Sequence, residues 1–438
     1  MKRYRYYMLI ILMLIVFLPA WKNMERDSYN DRFSDNSVIN FKLRSYIGQT
    51  GNEYSKDKII VKLESNLDSY DRKKIFAETG FKKVEKLFDD YYIYENNERT
   101  DNIEDIIRKI RDIPGVKEVE PDYIAYLQTT PHDPYLKYQY YLANFGQTLT
   151  IDGKNITVKK DSDIKAKGAW DYSRGSSDLI IAVVDSGVDY SHPDLRDKLL
   201  EGYNFVVGNP YAIDDNGHGT EMAGIIGATT DNRLGISGIC WDCKILPVKV
   251  LDADGKGRYS AIALGIRYAV DHGAKIINLS LGGYNPSFIL EDAVKYAFNK
   301  GVAVIASVGD DKKKSILYPA AYTSYVLAVA ASNYSDQRTT YSNYGPEVSV
   351  AAPGTYILTT TLQGKYAYVT GTSPATAIVS GIAGLILSLK NNISPSDLYK
   401  VIMYAADDVN EKTCPGTDIY FGYGRADAKK AVSPIELK

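Results

Sequence analysis

Cysteine is scarce in this chain. Three in 438 residues, Cys240, Cys243 and Cys414, exclude a disulfide-stapled scaffold and leave stability to a packed core. The pair Cys240 and Cys243 lacks the second pair that a zinc site needs. It leads into an apolar, strand-like run at 245–250 instead of opening a helix as redox motifs do, so a local disulfide or two inert thiols both fit it. Net charge is lacking too: 52 basic against 54 acidic residues leave −2, which gives no chain-wide attraction to nucleic acid or anionic lipid. Beyond the N-terminus no apolar stretch reads as long enough to span a bilayer. Histidine is limited to four positions, so acid–base chemistry near neutral pH has few candidates.

What is present begins with Lys2, Arg3 and Arg5 ahead of an apolar run at 8–20, the layout of a secretory leader. Ala20 suits the position before a cut and Leu18 does not, so residues 1–22 read as a signal peptide or a retained N-terminal anchor. Contact with a membrane is expected only through that segment if it stays uncleaved. A polar linker follows at 23–55. Alternation at Ile59, Val61 and Leu63, and again over 91–94, predicts strands. Ile103, Ile106, Ile107 and Ile110 recur at helical spacing with Pro114-Gly115 as the stop, and a further strand is expected over 116–127. Such a unit makes a small α+β domain.

From about residue 163 short apolar runs alternate with longer helical segments, the pattern of an α/β fold. Strands are expected over 179–184, 244–250, 275–279, 302–306 and 326–330. Most are apolar on both faces, which suits a parallel sheet covered by helices on each side.

Three segments carry chemistry. Asp185 ends a buried strand, where open α/β sheets place their sites. His218 lies between Gly217 and Gly219 at the start of a helical run, and glycine on both sides lets other groups approach the imidazole; His132, His192 and His272 lack that setting and read as turn or surface residues. Ser373 opens another helix, with Pro374 at a first-turn position. A serine hydroxyl becomes a nucleophile only beside a base, and the base needs a carboxylate to fix its tautomer.

The order Asp, His, Ser with these flanks resembles the subtilisin-like serine peptidases, for which that order is a standard example. The resemblance runs from about residue 134 to 428. It includes Asp185-Ser186-Gly187, His192-Pro193-Asp194-Leu195, His218-Gly219-Thr220, Ser280-Leu281-Gly282-Gly283 and Gly371-Thr372-Ser373. It implies a three-layer α/β/α domain with a mainly parallel sheet at 129–438, preceded at 56–128 by a small α+β, ferredoxin-like propeptide that inhibits the enzyme and is cut away between Tyr126 and Thr130, with the Leu127-Gln128 bond favoured. It implies a secreted endopeptidase acting on polypeptides, with Ser373 as nucleophile, His218 as general base and then acid, and Asp185 as the orienting carboxylate. Substrate would pair with edges at Gly255, Gly257, Leu281, Gly282 and Gly283, with Leu317 at the base of the pocket for the residue before the cut. A structural calcium ion is implied at Asp133, Asp194, Thr230, Asn232, Leu234 and Ile236, an oxygen-rich set that suits this ion.

One departure bears on activity. The family's second oxyanion donor is an Asn after a Gly, and this chain has Gly309-Asp310. An ionised Asp donates no hydrogen bond and would repel the developing charge. The alternative to a working peptidase is therefore a catalytically weak or inactive member of the family that acts as a binding protein. Glu221, Pro374 and Ala377 also replace residues common in the family, changes that concern packing more than chemistry.

Overall fold

The computed structural model describes residues 54–65, 80–96, 103–123, 130–410 and 414–433. The leader at 1–22, nearly all of the linker and the Leu127-Gln128 bond lie outside the described residues. The chain divides into two compact units, one of residues 1–124 with 152–154 and the other of the remaining residues.

In the first unit the strands Tyr54–Leu63 (β1), Lys82–Phe88 (β2) and Tyr91–Glu95 (β3) are followed by the helix Ile103–Arg111 (α1) and the strand Val116–Tyr123 (β4). The strands form one antiparallel sheet in the order β2-β3-β1-β4, with Val61 paired to both Tyr92 and Val119. Period-2 residues of the sheet, Ile59, Val61, Leu63, Tyr92 and Tyr94, bury against Ile103, Ile107 and Ile110 of α1. The two sequence periodicities thus meet in one small core.

After residue 124 the described chain continues with a hairpin, Thr148–Ile151 (β5) and Lys154–Thr157 (β6), and a short helix, Ala166–Ala169 (α2). Then come Ile180–Asp185 (β7), Tyr203–Asn204 (β8), the helix His218–Gly227 (α3), Lys244–Lys249 (β9), the helix Tyr259–Asp271 (α4) and Ile276–Leu279 (β10). The helix Phe288–Asn299 (α5) leads to Ala303–Ser307 (β11), Val326–Ser332 (β12) and Val350–Pro353 (β13). A second hairpin, Ile357–Thr361 (β14) and Lys365–Val369 (β15), precedes the helices Thr372–Leu389 (α6), Pro395–Tyr404 (α7) and Ala428–Val432 (α8).

Seven parallel strands form the central sheet in the order β13-β12-β11-β10-β7-β9-β8. Ile181 and Val183 of β7 bury on one face with Met222 and Ile225 of α3 and Ile378 and Ile382 of α6. Ala182 and Val184, pointing the other way, bury with Ile262 and Ile266 of α4 and Leu290 and Val294 of α5. Alternation along a single strand therefore builds a three-layer α/β/α domain, which is why these strands are apolar on both faces. From β7 the chain runs to β8 and then β9 on one side and crosses to β10 on the other, so strand order reverses beside β7.

The five expected strands form with shifts of one or two residues at their ends. Three readings change. α6 is long and apolar enough to cross a membrane by length and composition, contrary to the expectation that no later stretch is, but most of it is buried as the central core helix. His192 is fully buried and not a surface residue: its Nε2 lies 3.0 Å from the Lys365 carbonyl and its Nδ1 accepts the Asp194 N–H at 3.1 Å. Cys240 and Cys243 form a disulfide, which resolves the open choice between bond and thiols, while Cys414 is free and exposed.

Candidate active site

The carboxyl end of β7 delivers Asp185 into the interior with no exposed surface. Its Oδ1 accepts the Ser186 N–H at 2.7 Å and faces His218 Nδ1 at 2.7 Å; its Oδ2 is buried without a hydrogen-bond partner among the described residues. His218 begins α3, and the preceding Gly217 adopts φ 111°, a left-handed conformation costly for other residues. A β-carbon on Gly219 would fall 2.0 Å from the Gly187 carbonyl oxygen, so glycine is what lets α3 approach the end of β7.

Asp214 holds this junction and was not singled out by the sequence. Its Oδ1 accepts from the Asn216 and Gly217 N–H groups and from Ser186 Oγ, and its Oδ2 accepts from the Thr220 N–H and hydroxyl. Ser186 Oγ in turn accepts the Gly219 N–H at 2.9 Å. One buried carboxylate therefore caps the first turn of α3 and ties it to the residue after Asp185. The only sequence signal for it is an Asp four residues ahead of the helix start.

Ser373 sits in the first turn of α6. Its hydroxyl donates to the Ser280 carbonyl at 3.2 Å, while the Ser280 hydroxyl donates to the Ser373 carbonyl at 3.0 Å. Ser280 Oγ also accepts from Asn278 Nδ2 at 3.0 Å, and Asn278 Oδ1 accepts from Ser380 Oγ at 2.9 Å. This chain of buried polar groups fixes the start of α6 against the end of β10. Among the described residues no hydrogen bond joins Ser373 to His218.

Asp310 is the common neighbour. Its Oδ1 accepts the Thr372 N–H at 2.9 Å, and its carboxylate feels the charge of His218. Its surface is exposed, yet protein packed around the carboxyl pushes it above the usual range; the Thr372 hydrogen bonds oppose this, Asp311 adds to it and His218 opposes it. For His218, burial disfavours the charged ring, but the charge and hydrogen bond of Asp185, with the charges of Glu221 and Asp214, outweigh it and raise the imidazole to about 9. Glu221 is itself pushed up to about 7 by burial, with Asp185 and Asp214 adding to the shift and His218 opposing it.

On one side of Ser373 the segment at 281–283 forms a wall, and its Gly283 pairs with Tyr318. Leu317 lies between that wall and Gly309. Gly255 takes φ 72° in the turn at 252–256, closed by the Asp252 N–H to Lys256 carbonyl bond, and Gly257 packs on Leu251 and Val250.

The residues expected to hold calcium are gathered. Asp133 Oδ1 accepts the N–H groups of Asn232 and Arg233, and its Oδ2 accepts the Asp231 N–H and the Ser237 hydroxyl. Asp194 Oδ1 accepts from Asn232 Nδ2, and its Oδ2 accepts from the Ile236 N–H and the Tyr366 hydroxyl. Both carboxylates are buried, the charge of Asp194 bears on Asp133, and neither pairs with a Lys or Arg among the described residues. Two buried anions suit a hard cation, but here each carboxylate oxygen accepts from protein donors and Asn232 turns Nδ2 to Asp194 while its Oδ1 accepts the Leu234 N–H, so the Asn232 amide would have to turn to serve as a ligand. Among the described residues no group of three or more Asp, Glu, His or Cys is placed to hold a metal ion, so loop carbonyls at Thr230, Leu234 and Ile236 would have to supply the remaining ligands.

A carboxylate–imidazole pair at the strand-order reversal, beside a serine on a helix start, is an arrangement able to carry out acyl transfer. The model of the subtilase family matches residues 176–424. Over 381 residues the chain is 37% identical to a thermophilic serine proteinase of a Bacillus species, covering 87% of this chain and 88% of that one. Over 303 residues it is 41% identical to thermitase of Thermoactinomyces vulgaris, covering 69% and 99%. The solved structure of a protease from Pseudoalteromonas arctica superposes with a TM-score of 0.61 at 28% identity, covering 69% of this chain and 99% of that one. Sequence motifs, parallel-sheet architecture and these likenesses agree, and the chain belongs to the subtilase family as a serine endopeptidase.

Proposed function

We propose that this chain is a secreted, self-processing endopeptidase in which Ser373, His218 and Asp185 act as the catalytic triad. The observation that carries this is the 2.7 Å pair between Asp185 and His218, held at the sheet's reversal point by Asp214 and facing the helix whose first turn carries Ser373. Ser373 Oγ attacks the substrate carbonyl while His218 takes its proton, and Asp185 holds the ring and stabilises the imidazolium. The oxyanion of the tetrahedral adduct takes a hydrogen bond from the Ser373 N–H. His218 returns the proton to the leaving amine, and water then hydrolyses the acyl-serine with His218 again as base. Asp310 contributes a second donor only in its protonated form.

Substrate polypeptide pairs with Gly255 and Gly257 on one edge and with Leu281, Gly282 and Gly283 on the other, and Leu317 gives the pocket for the residue before the cut an apolar base. Residues 1–22 direct export, and residues 56–128 form an inhibitory propeptide released by a cut between Tyr126 and Thr130, so the partners are polypeptide substrates and the chain's own propeptide. Calcium, when bound at Asp133, Asp194, Thr230, Asn232, Leu234 and Ile236, supplies positive charge that stabilises the loop at 230–236.

The test is self-processing. Wild-type precursor should yield a mature N-terminus between Tyr126 and Thr130, while Ser373→Ala should remain intact. Equal processing in the two proteins, or a mature N-terminus elsewhere, overturns self-cleavage.

A further inference from the structure

The glycine walls beside Ser373 enclose a gap that one side chain of this chain already fills. The first wall starts at Ser280, whose carbonyl accepts the Ser373 hydroxyl, and continues through Gly282 and Gly283. The second runs from Val308 to Asp310, whose carboxylate accepts the Thr372 N–H. The gap between them therefore opens at the serine. Leu317 crosses it. Its N–H donates to the Val308 carbonyl at 3.1 Å, and its neighbour Tyr318 exchanges backbone hydrogen bonds with Gly283 at 2.8 and 2.9 Å, so the crossing segment is bonded to both walls.

The side chain completes the crossing. A β-carbon on Gly282 would lie 2.8 Å from Leu317 Cβ and 3.4 Å from its Cδ1, and one on Gly309 would lie 2.7 Å from both Leu317 Cγ and Cδ1. Opposite walls thus touch the same leucine. Neither wall is free to retreat. Asn343, fully buried, donates from Nδ2 to the Val308 carbonyl at 3.1 Å and accepts the Asp311 and Lys313 N–H groups on its Oδ1. On the other side the Tyr259 hydroxyl closes on Gly283, where a β-carbon would come within 2.3 Å of it.

We infer that Leu317 plugs the pocket next to Ser373, so that the enzyme cuts after small residues, Gly, Ala or Ser, and excludes large side chains whether apolar or charged. This rests on the endopeptidase reading of the same site and narrows its substrates to polypeptides with small residues before the cut. Close packing makes exclusion steep, because an interior filled to native density accepts an added ring only by displacing its neighbours.

The experiment uses mature wild-type protein, the variants Leu317→Gly and Leu317→Ala, and peptides that differ only in Ala, Phe, Lys or Glu before the scissile bond. A serine-reactive phosphonate reports whether Ser373 is functional. Wild type should favour Ala over Phe by at least about tenfold in kcat/KM, on the scale that pocket fit discriminates, and the Phe-to-Ala ratio should rise at least about tenfold in the variants. Wild type that cuts after Phe as readily as after Ala overturns the plug, as does a ratio unmoved in both variants. Protein that the phosphonate does not label and that cleaves none of the peptides overturns the endopeptidase reading, and this inference with it. Labelled protein that selects Phe, Lys or Glu overturns the pocket inference alone.

Discussion

Asp310 Oδ1 accepts the Thr372 N–H at 2.9 Å, which sets a carboxylate one residue from Ser373. Crowding lifts this group above its ordinary range, so its proton is lost at a higher pH than that of a free Asp. Once ionised it withdraws a donor and adds a repulsive charge where the oxyanion forms. Asp310→Asn should therefore raise turnover near neutral pH by up to about 10²-fold, the scale on which one oxyanion donor counts in subtilisin itself. Lowering the pH should bring wild type closer to the Asn variant, and the ratio of the two enzymes cancels most of the His218 dependence they share. A ratio flat from acid to neutral pH, with the variant no faster, rules out an ionised Asp310.

His218 is surrounded by acids from four parts of the fold: Asp185 at the end of β7, Asp214 before α3, Glu221 on α3 and Asp310 after β11. Because the raised imidazole must lose its proton to act as base, kcat/KM should climb with pH toward a midpoint near about 9. Glu221→Gln removes one of the charges that hold the proton on, so its rising limb should move to lower pH and its neutral-pH activity should increase. A pH–rate profile of the variant that coincides with wild type, or lies at higher pH, contradicts the role given to Glu221.

Removing calcium should lower the melting temperature of the mature protein, since a ligand bound only to the native state stabilises it by about 2.7 kcal/mol at a hundredfold excess over Kd. Asn232→Ala should lose most of that calcium dependence, because the Asn232 side chain bonds Asp194 at 2.8 Å and shapes the loop. Melting curves with and without chelator decide it. No shift in wild type, or the same shift in the variant, counts against the site.

Arg425 is buried and binds both oxygens of Asp336 at 2.6 Å and Asp407 at 2.8 Å. Arg425→Ala leaves these acids without their shared cation and should cost roughly 3–5 kcal/mol in urea unfolding at neutral pH. For Asp407 burial favours the neutral acid, but Lys430, Lys165 and Arg425 outweigh it and hold the carboxyl at about 2. A depressed carboxyl stabilises the fold above its unfolded value near about 3.9 and loses that contribution as the pH falls through its folded value. The variant should therefore differ most from wild type above pH ~4 and converge with it toward pH ~2. A constant difference across that window would exclude titration of Asp407 as the cause.

The layers of the fold were legible because burial on both faces leaves a plain mark: 179–184 and 302–306 carry almost no polar residue. Val350–Pro353 and the Ile357–Thr361 hairpin were not, since the first is four residues ending in proline and the second is rich in Thr, whose hydroxyls bond the carbonyls of Thr220 and Glu221 on α3. At the site, Asp185, His218 and Ser373 showed through their glycine and helix-start settings. Asn278 and Ser280 act through Ser380 and Ser373, 102 and 93 residues further on, whereas Asp214 bonds mainly its neighbours Asn216, Gly217 and Thr220, and an Asp ahead of a helix is too common a cap to mark a site. His192, expected as a turn or surface residue, does make turn hydrogen bonds, but what buries it, the hairpin at Lys365 and Tyr366, follows some 170 residues later, as in its bond to the Lys365 carbonyl.

The order in which the sheet is threaded has a consequence in time. Asp185 and His218 belong to the first strands and helix of the parallel sheet, whereas Ser373 arrives on α6, which packs across β10, β11, β12 and β13 only after all of them exist. A chain still emerging from the ribosome carries Asp185 and His218 well before it carries Ser373. Contacts this far apart in sequence also form slowly, because the loop must close before the contacts reward it. Asp185, His218 and Ser373 therefore come together only after most of the chain has been made.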